Sequence, residues 1–190
     1  MSQALRRLRT PLETFRFRQP FQDLFFAILE VYTRQKKNDF RKTNFSCFRG
    51  CRMDRNEFLA LRANKGGYIQ LEGFTSTSLS SIQASSFITN TWIEIKVNID
   101  NLGGEMDWGF ASVEEMSSQP HEKEIIFNPI NIFKVIECKE KGIAKLPVRG
   151  ASIEVEQYIE LEYAPLTDMM KRQRSGLQLA EIEKNIIINY

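Results

Sequence analysis

The sequence predicts an α+β fold, in which a helical N-terminal part is followed by a mostly antiparallel β part. Near the N-terminus, apolar residues recur at the three-and-four spacing of a helix that buries one face. From residue 69 onward they recur at every second position, which is the spacing of a strand with one buried face. Glycine, proline and asparagine turn signals separate these alternating stretches.

Two helices are expected before most of the strands. The first should end in the polar run of residues 34–39. Its apolar stripe consists of Phe21, Leu24, Phe25, Ile28, Leu29 and Tyr32. The second should span residues 55–64, because Asp54 and Glu57 have the spacing of a capping box and a glycine pair follows.

The β part is expected to consist of short strands joined by turns. An early strand, residues 45–49, should end at Gly50. The later apolar stretches cover residues 68–74, 92–99, 108–112, 124–127, 132–137 and 155–163. Trp108 and Phe110 are expected to lie in the core of their strand.

Composition and length exclude several classes of protein. The chain has 190 residues with a net charge of +2, which fits one domain and gives no argument for nucleic acid. Three cysteines and one histidine make neither a disulfide framework nor a four-ligand zinc site. No stretch is long and apolar enough to span a membrane, and the first residues lack a secretory signal. We therefore expect an intracellular, monomeric protein without a bound metal.

Two polar patches follow apolar strands. Arg49, which precedes Gly50, offers a planar fork of donors that suits a diphosphate, and the glycine would let a ligand approach the backbone. Ser76 and Ser78, at the end of the strand of residues 68–74, share a face and could hold a carboxylate in one rotamer. Alone, the first patch is as consistent with a surface salt bridge, and the second with a polar strand end.

A third patch pairs two carboxylates. Two residues apart on a strand, Glu122 and Glu124 would project to the same side with backbones about 7 Å apart. Their charges repel unless a cation lies between them, so a cationic or cation-forming substrate would compensate. Alone, the pair is as consistent with a solvated acidic edge.

Together and in this order, the patches resemble the arginine–serine–glutamate signature of ADP-ribosyltransferases related to cholera toxin and to vertebrate ecto-ADP-ribosyltransferases. The neighbouring residues, 73–79, 120–129 and 133–135, also resemble that family. The resemblance covers residues 22–164. It implies the ADP-ribosyltransferase fold, in which a small N-terminal helical part precedes a β core split into two sheets.

The resemblance implies a chain of three parts. Residues 1–20 would be a basic, poorly ordered segment, and residues 21–165 the catalytic domain. Residues 166–190 would be an appended helix or a linker.

The resemblance also implies residues that bind NAD+ as co-substrate. Arg49 would contact its phosphates and ribose, and the backbone of Gly50 would receive the nicotinamide amide. Ser76 would orient the catalytic glutamate, while Thr77 and Ser78 would brace the split between the sheets. Phe87 is a candidate for stacking on nicotinamide and equally a candidate for the core.

For catalysis, the resemblance implies that Glu124 stabilises the cationic sugar and that Glu122 selects an arginine acceptor on a target protein. Residues 113–121 would recognise that target, and His121 is expected to be an exposed turn residue. The implied activity is arginine-directed mono-ADP-ribosyl transfer, with nicotinamide released. Two alternatives remain open: an NAD+ glycohydrolase that uses the same site, and a catalytically silent binding module.

Overall fold

Helices and strands follow one another in the predicted order. The computed structural model describes residues 18–35, 44–71, 73–99, 109–145, 152–164 and 187–188. The helices are α1 (Arg18–Gln35), α2 (Arg55–Ala63) and α3 (Ser81–Ser85). The strands are β1 (Phe45–Cys51), β2 (Tyr68–Leu71), β3 (Thr75–Ser78), β4 (Thr91–Val97), β5 (Phe110–Ser112), β6 (Glu124–Phe127), β7 (Ile132–Lys145), β8 (Ser152–Ala164) and β9 (Ile187–Ile188).

The strands of the described residues pair in the order β5-β6-β3-β1-β4-β8-β7-β2-β9. Only the β4–β8 and β2–β9 pairs are parallel, so the predicted mostly antiparallel α+β class is confirmed. β1 and β3 share one registered pair, Phe48 with Ser78, whereas β1 and β4 share seven. The sheet therefore divides between β1 and β3 into a smaller and a larger part.

The two parts of the sheet close over a common aromatic core. Phe110 of β5 packs edge-on against Tyr163 of β8, with ring centroids 5.6 Å apart. Phe127 of β6 packs in the same way against Phe133 of β7 at 5.3 Å. Because side chains from both parts interdigitate here, the division at β1–β3 is stabilised by burial rather than by backbone pairing.

Both predicted helices are present. In α1, Ile28 and Tyr32 are buried, as the apolar stripe requires. α2 begins with the predicted capping box: Asp54 accepts a hydrogen bond from the Asn56 amide at 2.8 Å, and Glu57 accepts one from the Asp54 amide at 3.2 Å. These two bonds satisfy amides that a helix leaves unpaired at its first turn.

Two predicted strands differ from the structure. Ser76 and Ser78 do not continue the strand that begins at Tyr68, because that strand ends at Leu71 and Gly73 takes a positive φ of 73°. The turn moves β3 into the smaller part of the sheet, next to β6. β1 also continues through Gly50 to Cys51 instead of ending before the glycine.

Several expectations fall on other parts of the chain. Phe110 is buried as predicted, whereas Trp108 lies outside the described residues. Residues 1–17 and most of the segment 166–190, which was expected to be an appended helix or a linker, also lie outside them; Ile187–Ile188 form β9. Within the described ranges, no helix is long and apolar enough to cross a membrane.

The shared aromatic core should carry a large part of the stability. We expect Phe110→Ala to lower the free energy of unfolding by about 3–5 kcal/mol, because it leaves a cavity between the two parts of the sheet. Phe26→Ala is the matched control, since Phe26 is 61% exposed; it should change that free energy by less than about 0.5 kcal/mol. Urea denaturation measures both, and equal losses would contradict the shared core.

Candidate active site

The three motifs meet in space through two hydrogen bonds. The Arg49 guanidinium donates from Nη1 to the backbone carbonyl of Ser76 at 2.6 Å. The Ser76 hydroxyl donates in turn to Oε1 of Glu124 at 2.5 Å. Residues separated by 27 and 48 positions in the chain are thus joined in series. Ser76 lies between a cationic and an anionic side chain.

Strand pairing explains why Ser76 reaches Glu124. β3 and β6 are antiparallel, and Ser78 lies directly opposite Glu124. Ser76 is two residues further along the same face, so its hydroxyl meets the carboxylate diagonally across the two strands. This bond occupies one carboxylate oxygen and fixes the rotamer, which leaves the other oxygen free of it for a ligand.

The other two hydroxyls of β3 bind backbone groups. Thr77 is buried and donates to the carbonyl of Ile125 at 2.9 Å. Ser78 donates to the carbonyl of Glu122 and accepts a hydrogen bond from the Ser80 amide at 2.9 Å. These bonds tie β3 to β6 and to the turn before it, within the smaller part of the sheet, and not across the division from β1 that Thr77 and Ser78 were expected to brace.

Glu122 and Glu124 do not lie on one strand, so the expected alternation was wrong. Glu122 ends a 3-10 helix, Pro120–Glu122, and Lys123 then takes left-handed angles of φ 48° and ψ 49°. β6 begins only at Glu124. Glu122 is nevertheless held at the edge of the site, because Ser78 fixes its carbonyl. His121 is an exposed residue of this turn, as expected.

A turn of residues 113–123 connects β5 to β6 and borders the site. The Val113 amide donates to the carbonyl of Glu124 at 3.0 Å, which closes the base of the turn. The Leu79 amide donates to the carbonyl of Lys123 at 3.1 Å on the other side. Met116, near its tip, is 61% exposed.

Gly50 is required by packing within the chain. A Cβ at this position would overlap the carbonyl oxygen of Ala84 and lie 2.5 Å from the Ile88 nitrogen. The expected open approach for a ligand is therefore absent on this side, because the segment from α3 crosses there. The same crossing brings the chain at Phe87 beside β1, and the side chain of Phe87 is 57% exposed rather than in the core.

Sequence reasoning missed the anchor of the segment that follows Arg49 and Gly50. The Asn90 side chain accepts from the Met53 amide and donates to the Met53 carbonyl, both at 3.0 Å. The backbone amide of Asn90 also donates to the carbonyl of Cys51 at 3.3 Å. A lone asparagine before a strand resembles any turn residue, so no sequence signal marks this role.

The arrangement can hold a ligand with opposite charges at its two ends. The guanidinium of Arg49 has donors beyond the one used by Ser76 and can bind phosphate oxygens. The carboxylate of Glu124 can stabilise a cation that forms during a reaction. Among the described residues, no group of three or more His, Cys, Asp or Glu side chains could hold a metal ion.

One protein family, described as ADP-ribosyltransferase exoenzyme, matches the chain over residues 27–157. No curated protein matches the chain.

Solved structures share the fold. The catalytic domain of VahC from Aeromonas hydrophila superposes with a TM-score of 0.54 at 14% identity, covering 82% of this chain and 75% of its own. The Vis toxin, an ADP-ribosyltransferase from Vibrio splendidus, gives 0.50 at 19% identity, covering 87% and 68%. The ADP-ribosyltransferase HopU1 of Pseudomonas syringae gives 0.46 at 19% identity over 64% of this chain. The chain spans only 46% of the length of HopU1.

The Asn90 anchor should be stabilising. We expect Asn90→Ala to lower the free energy of unfolding by about 2–4 kcal/mol, because both Met53 backbone groups lose their partner. Asn56→Ala is the control, since the Asn56 side chain is exposed at the start of α2. Thermal and urea denaturation compare the two variants, and an equal effect would remove this role from Asn90.

Proposed function

We propose that this chain, which belongs to the ADP-ribosyltransferase exoenzyme family, transfers ADP-ribose from NAD+ to an arginine side chain of a target protein. One observation carries the proposal: Arg49, Ser76 and Glu124 are joined in series by two hydrogen bonds. Membership of this family supports transfer of ADP-ribose, and the residues of this site support the choice of donor and acceptor.

Arg49 would hold the diphosphate of NAD+. Its guanidinium is fixed by Ser76 and keeps further donors for phosphate oxygens. The backbone of Gly50 would receive the nicotinamide amide on the side away from the segment that follows α3, and the exposed ring of Phe87 would stack on the nicotinamide. Thr77 and Ser78 would support NAD+ binding indirectly, by bracing β3 against β6.

Glu124 would stabilise the transition state. The bond between the ribose C1′ and the nicotinamide nitrogen breaks, and its electron pair leaves with the neutral nicotinamide. The ribose then has oxocarbenium character, which a nearby carboxylate stabilises. Because Ser76 holds Oε1, Oε2 is available for a ribose hydroxyl.

Glu122 would bind the acceptor. A nitrogen of the arginine guanidinium forms the new bond to C1′, and the proton that this nitrogen loses passes to the Glu122 carboxylate. A guanidinium pairs with a carboxylate through strong, charge-assisted hydrogen bonds. The Ser78 hydroxyl donates a hydrogen bond to the Glu122 carbonyl, and this bond holds Glu122 at the edge of the site.

Cleavage of NAD+ tests the role of Glu124. We expect Glu124→Gln to lower both transfer to agmatine, a soluble arginine analogue, and hydrolysis of NAD+ by about a thousandfold or more. The amide keeps the shape and loses the charge, so NAD+ binding measured by calorimetry should change little. Nicotinamide release measures turnover, and Glu154→Gln is the control, because Glu154 is an exposed residue of β8. Unchanged turnover would remove Glu124 from catalysis.

Removing the charge of Glu122 separates a transferase from a glycohydrolase. Glu122→Gln should lower transfer to agmatine at least about a hundredfold and leave hydrolysis of NAD+ within about threefold. Glu114→Gln, in the same turn, is the matched control. Mass spectrometry of the products distinguishes ADP-ribosylated agmatine from free ADP-ribose. If the unaltered chain yields free ADP-ribose and no ADP-ribosylated agmatine, the protein is a glycohydrolase. If it yields neither product, the protein is a catalytically silent module.

A further inference from the structure

Helix α1 lies along β5, the edge strand that leads into the turn of residues 113–123. Ile28 packs with Ala111 in one apolar cluster. The Tyr32 ring fills the space above Gly109, where a Cβ would overlap it. These two α1 residues and Gln35 are spaced four and three apart, so they share one face of the helix. The face that buries apolar groups at its middle therefore ends in an amide.

Gln35 pairs with both backbone groups of one β5 residue. Its Nε2 donates to the carbonyl of Ser112 at 2.7 Å, and its Oε1 accepts from the Ser112 amide at 2.9 Å. The side chain thus takes the place that a neighbouring strand would occupy at this edge. Ser112 is only 9% exposed, so leaving its backbone amide and carbonyl unpaired would lower the stability of the folded chain.

Ser112 is the last residue of β5, and the turn begins at the next residue. Gln35 therefore fixes the entry of the turn, as the Ser78 hydroxyl fixes its exit at Glu122. The two anchors have different consequences for the site. Ser112 pairs with Ile125, so the entry of the turn also borders β6. The pairing of β3 with β6, which holds Ser76 beside Glu124, does not depend on Gln35.

We propose that Gln35 is a positioning residue for the acceptor, acting through the turn and through Glu122. This inference rests on the proposed function, in which Glu122 binds the arginine. Loss of the amide leaves the turn with the Ser78 bond to the Glu122 carbonyl as its remaining side-chain anchor, so the turn and the Glu122 side chain take several positions. The contact between Ser76 and Glu124 persists, so cleavage of NAD+ continues while capture of the acceptor weakens.

Hydrogen exchange tests the anchor without any activity. In Gln35→Leu, amides of residues 112–118 should exchange at least about fivefold faster than in the unaltered chain, while those of β3 should not change. Gln19→Leu is the matched control, because Gln19 is exposed on α1 and donates to Asp23 of the same helix. Equal exchange in the two variants would overturn the proposal.

Gln35→Glu provides a second variant in case the apolar side chain disturbs α1. At pH 8 the carboxylate repels the Ser112 carbonyl, so exchange in the turn should be fast. At about pH 4 the carboxyl begins to take up a proton and can donate to that carbonyl, so protection should return. Because amide exchange itself slows as the pH falls, each rate is compared with that of the unaltered chain at the same pH; a loss of protection that persists at both pH values would contradict the pairing.

Kinetics test the consequence. Gln35→Leu should raise KM for agmatine at least about fivefold and leave hydrolysis of NAD+ within about twofold, whereas a general loss of structure would lower both together. A parallel loss of transfer and hydrolysis, or an unchanged KM, would overturn the positioning role. If the unaltered chain hydrolyses NAD+ and modifies no agmatine, the proposed function fails, and hydrogen exchange still decides whether Gln35 anchors the turn.

Discussion

The position of β3 between β1 and β6 is the constraint on which the site depends. β3 is fully paired with β6, yet it shares one registered pair with β1. At this division the carbonyl of Ser76 accepts from the side chain of Arg49. The gap in backbone pairing thus lets Arg49 bind the same residue that holds the Glu124 carboxylate, and the aromatic core stabilises the gap.

Irregular segments around the site are held by side chains that bind backbone groups. Asn90 anchors the chain after β1, Ser78 the end of the turn before β6, and Gln35 the beginning of that turn. Backbone groups outside regular pairing need such partners when they are removed from water. The site is therefore rigid at its base, while exposed groups such as Met116 remain open to a partner.

Much of the fold followed from local patterns. The capping box at Asp54 and the apolar face of α1 act over one or two helical turns, so the sequence shows them directly. The periodicity of strands was equally readable, but it could not show that Gly73 breaks one predicted strand in two. Nor could it show the left-handed Lys123, which removes Glu122 from β6. Both errors concern single backbone angles that alternation does not encode.

By itself, the sequence determined the class of fold and the residue types that could carry charge around a dinucleotide. Only the tertiary structure decided that Ser76 binds both Arg49 and Glu124, and that the chain itself occupies the space where a side chain at Gly50 would lie. It also revealed Gln35 as an anchor. The reason is physical. Periodicity and capping depend on neighbours in the chain, whereas contacts between distant residues depend on strand order and on how the two parts of the sheet close over one core.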